Sequence, residues 1–194
     1  MLRKVLALLA LSLVVFTANS QDRKFSVELN YPITLGDNFF EFNYSGIIDA
    51  GIDFYVAEAG IFDFGIGFNT GIFNSADAPD PGISVLVFDF KPSAFAELNI
   101  PGAEKFRPAV GVGYTSILFV FSGENPVEPS PRELIGEETR GGINFLLRLA
   151  YDFAERWFVQ AQYDYTKLGR KGDVPNTSFN TNVVQLRLGL GFKF

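Results

Sequence analysis

The chain has 194 residues, 47% of them hydrophobic, with 22 Asp plus Glu against 16 Lys plus Arg and neither cysteine nor histidine. A net charge of −6 weighs against nucleic acid as a partner, and zero cysteines exclude a disulfide framework. Without His or Cys, a zinc site lacks its preferred ligands and nucleophilic catalysis lacks its customary base, so no metal, cofactor or catalytic residue is expected.

The first segment stands apart from the rest. Arg3 and Lys4 precede a nearly unbroken apolar run from Val5 to Phe16, and Ala18-Asn19-Ser20 supplies small residues before a cut. Residues 1–20 read as a secretory signal peptide, because the run is shorter than the roughly twenty residues of a spanning helix. One domain of residues 21–194 is expected, with a charge of about −8 once Arg3 and Lys4 are removed.

Phe at 22 residues and Gly at 19 then dominate. Each Gly costs a helix about 1 kcal/mol relative to Ala, whereas a strand tolerates it where backbones approach closely. Eight segments alternate with period two, the signature of strands with one apolar face. The first is Phe25 to Tyr31, followed by Ile48 to Val56 and by Phe62 to Ile72, where Phe and Ile alternate with Asp, Gly and Asn. The fourth runs from Val85 to Leu98, with a bulge or local distortion expected at Pro92, which lacks a ladder donor. Phe106 to Leu118, Ile143 to Phe153 and Trp157 to Thr166 follow. Val184 to Phe194 closes the series, with Leu188, Leu190, Phe192 and Phe194 on its apolar face. Phe40, Phe42 and Tyr44 also alternate, and this stretch is read as an upward extension of the second strand.

The connections alternate too. Short ones lie at Ala57 to Ala59, Asn99 to Lys105 and Ala154 to Arg156. Long ones, rich in Gly, Pro, Asp, Asn and Ser, lie at Pro32 to Gly46, Phe73 to Ser84, Val120 to Thr139 and Gly169 to Thr181. About eleven residues at roughly 3.3 Å each, tilted near 40°, rise about 28 Å, close to an apolar band of about 25 Å. Phe25, Phe54, Phe62, Leu98, Phe106, Phe153, Trp157 and Phe194 gather at the short-turn end as an interfacial girdle. The expected fold is all-β, an eight-stranded antiparallel up-and-down transmembrane β-barrel. A soluble lipocalin-like lipid carrier would turn the apolar face inward, but an eight-stranded lumen holds too little for so many Phe.

On these features the chain resembles the small outer-membrane β-barrel families, of the OmpX and OmpA transmembrane-domain kind and the related Bacteroidetes-type outer-membrane β-barrel domain. The resemblance implies the bacterial outer membrane as location, the lipid bilayer and the barrel-assembly machinery as partners, and a monomer. It makes Leu188, Leu190, Phe192 and Phe194 similar to the assembly signal of those families. Unlike full-length OmpA, no peptidoglycan-binding domain is expected after the barrel. Enzymes built on small outer-membrane barrels rely on histidine, which is missing here.

Inward positions collect Asp49, Asp53, Asp63, Asp89, Asp152 and Asp164 with Lys91, Arg107, Arg148 and Arg187, joined by Glu28, Glu97 and Lys193. Charges in a narrow lumen must pair or hydrate. They are expected to form a structural ion-pair network, with a narrow porin-like channel as the alternative. The acidic stretch Val120 to Thr139 contains five Glu and Arg132, and reads as an exposed loop that binds nothing or else captures cations or a basic partner. Asp77 and Asp80 are a weaker cation candidate, and Gly169 to Asp173 a basic turn. The expected role is non-enzymatic: structural, or surface interaction, in the cell envelope.

Overall fold

Eight strands follow one another around a closed barrel: β1 (Phe25–Leu35), β2 (Tyr44–Ala59), β3 (Phe62–Ser75), β4 (Ile83–Leu98), β5 (Phe106–Gly123), β6 (Glu133–Asp152), β7 (Trp157–Leu168) and β8 (Asn182–Lys193). Every neighbouring pair is antiparallel, including the seam between β1 and β8. This computed structural model describes residues 25–75, 83–123, 133–170, 172 and 174–194. The signal peptide expected at 1–20 lies outside those residues, as do Asp77, Asp80, Glu124, Glu128, Arg132, Lys171 and Asp173. No helix among the described residues is long and apolar enough to cross a membrane.

Period two sorts the side chains as the sequence implies, with the apolar set outside. Along β8, Leu188 and Leu190 are exposed while Gln185 and Arg187 are buried. Along β6, Ile143, Phe145, Leu147 and Leu149 are exposed while Asn144, Arg148 and Ala150 are buried. An apolar exterior around a polar interior is the inverse of a soluble ligand carrier and suits a barrel solvated by lipid. At the turn end the outward rings touch one another across four strands: Trp157 meets Phe192 at 4.9 Å, Phe192 meets Phe194 at 4.9 Å, and Phe194 stacks on Phe25 at 4.4 Å. Phe25 in turn faces Phe54 at 6.0 Å. The Phe194 N–H also donates to the Phe25 carbonyl at 3.0 Å, so the last residue clasps the seam.

The structure corrects the sequence reading in three places. Phe40 and Phe42 are not strand: Phe39–Asn43 forms a short helix, α1, and β2 begins at Tyr44. Asn38 causes the change, because its side chain accepts from the Phe40 and Glu41 N–H groups and caps the turn. The helical twist sends Phe40 into the barrel and leaves Phe42 outside, 75% exposed. A second short helix, α2 (Ser178–Thr181), precedes β8 and is capped by Thr177.

At Pro92 the expected irregularity is a local distortion and not a bulge. Its strand keeps one register with β3 throughout, and with β5 the pairing stops at Phe90↔Ser116 and resumes at Ser93↔Gly113 without a shift. The proline's missing donor is absorbed as a gap in the ladder. The register shifts sit instead at Gly46/Ile48 and Tyr55/Ala57 in β2 and beside Phe121.

The stretch Val120 to Thr139 is not all loop, since β5 runs to Gly123 and β6 starts at Glu133, pairing Val120 with Glu137 and Phe119 with Glu138. Ala57 to Ala59 likewise belongs to β2, and the tight turn is Gly60-Ile61, where Gly60 takes a φ of +66° that other residues adopt only under strain.

Glycine sets how closely large inward side chains can approach the wall. Phe158 lies opposite Gly191 and Phe95 opposite Gly65, and a Cβ at either glycine would overlap the facing ring. Gly191→Val should therefore abolish the folded, heat-modifiable band on an SDS gel, and adding Phe158→Ala should bring part of it back. Equal folding of Gly191→Val and the native chain would show that the ring has room to move.

Candidate functional site: a charged lumen under an apolar plug

Strand β4 shows the layering of the interior. From the loop end downward its inward residues are Val85 and Val87, then Asp89 and Lys91, then Ser93, Phe95 and Glu97. The top layer is apolar and buried. Phe73, Val87 and Phe119 lie in one row across β3, β4 and β5, and α1 drops Phe40 onto them, 5.1 Å from the Phe73 ring and 5.2 Å from Tyr44. Val85, Ile117, Leu168 and Val183 complete this cluster, all buried. Arg140 holds the cap together, with its guanidinium 5.0 Å over the Phe39 ring and Nη2 donating to the Asn180 carbonyl at 3.0 Å.

Beneath the plug lie three groups of charges. In the upper one, Arg187 is wholly buried between Asp49 at 3.3 Å and Asp164 at 3.5 Å. Lys91 pairs with Asp89 and donates to Gln185, while Asp89 accepts from Gln185 at 3.2 Å and from the Gly71 N–H at 2.8 Å. Amides spread the network sideways, Asn30 donating to Asp49 at 3.0 Å and Gln160 to Asn30 at 3.0 Å.

The middle group centres on Arg148. It pairs with Asp53 and stands 3.7 Å from Glu97 and 4.0 Å from Glu28, while Phe95 lies under its guanidinium at 4.7 Å. Glu28 is further held by Asn69 at 2.6 Å. In the lowest group Arg107 bridges Glu97 at 2.8 Å and Asp152 at 3.0 Å, over the Phe158 ring at 4.8 Å. Lys193 adds a second cation to Asp152, and Tyr55 donates to Glu97 at 3.1 Å.

Thus Asp49, Asp53, Asp89, Lys91, Arg107, Arg148, Asp152, Asp164 and Arg187 are brought together. Asp63 is set apart: it sits half-buried at the turn end and accepts from Asn99 at 2.8 Å. Leu188, Leu190, Phe192 and Phe194 form one row on the outer face of β8, next to the seam. Sequence periodicity missed the aromatic platforms Phe95 and Phe158 and the apolar plug, all on the inward face. The signal for the two platforms was the pairing with Gly65 and Gly191, visible only once the strand register is known. No cluster of three or more metal-ligating side chains is present among the described residues.

Residues 5–194 match the family described as outer membrane protein beta-barrel domain. No curated protein matches the chain. Among solved structures it is similar to Ail, the attachment invasion locus protein of Yersinia pestis, with a TM-score of 0.58 and 13% identity over 90% of this chain and 100% of that one. It is similar to Neisserial surface protein A with a TM-score of 0.57 and 14% identity, covering 88% and 97% of the two chains. The N-terminal β-barrel domain of Pseudomonas aeruginosa OprF gives a TM-score of 0.54 and 19% identity, with coverage of 90% and 100%. At these identities the likeness is one of fold.

Breaking a buried charge group leaves its partners unmatched. Arg148→Ala should lower stability by about 3–5 kcal/mol in urea unfolding of the refolded barrel. The double change Arg148→Met with Asp53→Asn should recover much of that loss, and Asp63→Ala at the turn should stay within about 0.5 kcal/mol of the native chain. A similar cost for Arg148→Ala and Asp63→Ala would refute the assignment of the network.

Proposed function

The chain belongs to the outer membrane protein beta-barrel domain family and sits in the bacterial outer membrane, and from that premise we propose that it is a non-enzymatic, non-conducting barrel with a structural or surface-interaction role in the envelope. The double closure of the lumen carries this reading. Ions would have to cross both the ionic layer, where each charge is held by oppositely charged neighbours, and the apolar plug around Phe40, where nothing replaces their hydration. A sequence without histidine or cysteine supports the non-enzymatic part. In this reading the barrel is a rigid monomeric anchor, and α1, α2 and the extended β5–β6 hairpin are what it presents at the surface. The outward row Leu188, Leu190, Phe192 and Phe194 serves as the assembly signal recognised by the barrel-assembly machinery.

Planar-bilayer recordings of the refolded protein test the closed lumen, and no unitary current is expected. Robust unitary currents that Arg148→Ala alters would establish the porin-like alternative. For the assembly signal, loss of Phe194 should cut the yield of membrane-inserted, heat-modifiable protein in cells several-fold. Normal insertion of the shortened chain would remove that role from Phe194.

A further inference from the structure

The upper and middle charge groups do not balance. The upper one sets Asp49, Asp89 and Asp164 against Lys91 and Arg187, and the middle one adds Glu28 and Asp53 against Arg148, so five buried carboxyl groups face three buried cations. Among the described residues no other Lys or Arg pairs with any of the five. Arg148 also stands 3.7 Å from Glu97, so it has no charge to spare. Asp89 has Lys91 beside it. What remains is one guanidinium between two carboxyl groups, twice: Arg148 between Asp53 and Glu28, and Arg187 between Asp49 and Asp164.

Within each set the two carboxyl groups are unequally held. Asp53 pairs directly with Arg148, whereas Glu28 Oε2 lies 4.0 Å from it and accepts no hydrogen bond, Asn69 donating only to Oε1. Asp164 accepts from Asn144 at 3.2 Å and from Gln162 at 3.1 Å. Asp49 accepts from Asn30 at 3.0 Å, and its Oδ2, 3.3 Å from Arg187 Nε, accepts no hydrogen bond. The Asn30 amide also donates to Glu28 at 3.3 Å and so joins the two weakly held groups. We propose that the upper lumen binds two protons, one in each set, held on Glu28 and Asp49. Two unbalanced negative charges would otherwise lie beneath the apolar plug and inside a lipid-solvated wall, where such charges are costly. A proton cancels each without needing space, and space is short: a Cβ at Gly51 would overlap both Glu28 and Asn69. A multivalent metal ion is the poorer occupant, since no three ligating side chains converge among the described residues.

The polar contacts run on from Arg148 through Glu97 and Arg107 to Asp152, whose side chain is partly exposed at the turn end, so the two protons exchange with that side. The proposal rests on the closed lumen, which the bilayer recordings test separately. Infrared spectroscopy of the refolded barrel tests the protons themselves. At about pH 6, where exposed carboxyl groups are ionised, the native barrel should show the carbonyl stretch of protonated carboxyl groups and the urea-unfolded chain should not. Glu28→Gln and Asp49→Asn should each remove about half of that band and Asp89→Asn none of it, with heat-modifiability confirming that all three are folded. Because the folded barrel then holds more protons than the unfolded chain, its stability in urea should rise as the pH falls from about 8 to 6, and combining Glu28→Gln with Asp49→Asn should flatten that dependence. No band in the native barrel, a band that both substitutions leave unchanged, or stability that follows sodium or potassium concentration instead of pH would each overturn the proposal.

Discussion

Closing eight strands leaves an interior so narrow that inward side chains meet across it, and every inward charge must find its partner there. Arg148 reaches Asp53, Glu28 and Glu97, so one guanidinium on β6 ties together β2, β1 and β4. Arg187 on β8 does the same for β2 and β7 through Asp49 and Asp164. Buried ion pairs add little net stability over apolar packing but are costly to break. Their effect here is to fix register, because a slip of one residue would turn these charges toward lipid and the outward rings into the lumen.

The same narrowness explains the glycines. An arginine stacked on an aromatic ring needs more depth than a wall of ordinary side chains provides. Phe95 gains it by lying against Gly65, and Phe158 by lying against Gly191. Both cation–π stacks within the charged lumen thus rest on a cross-strand Phe–Gly pair, and the composition rich in both residues is a consequence of packing the lumen as well as of solvating the outer face.

Above the charges the barrel changes character within two residues, from Asp89 to Val87. The capping of α1 by Asn38 places Phe40 where it fills the mouth from inside, and Arg140 joins α1 to the end of α2. Among the described residues the loop end is therefore an apolar cap over the charged interior. This cap is the observation on which the proposed reading as a scaffold, and not a conduit, rests.

Strand number, the alternation of faces, the outward aromatic girdle and the lumen charges other than Asp63 were legible in the sequence, because period two needs no knowledge of neighbours. What periodicity could not see depended on contacts between distant strands. Asp63 alternates like Asp53 yet ends at the turn, because its height in the barrel is set by where β3 begins. Phe40 looks like strand until Asn38 caps the helix, and Pro92 forms a ladder gap because its partners on both sides hold their register. The sequence by itself determined the alternation of lipid-facing and inward positions along each strand and the charges that line the inside, but not the large apolar residues that also turn inward. Only the tertiary structure decided which inward residues meet, since pairing across a lumen depends on the shear and closure of all eight strands together and on no single one of them.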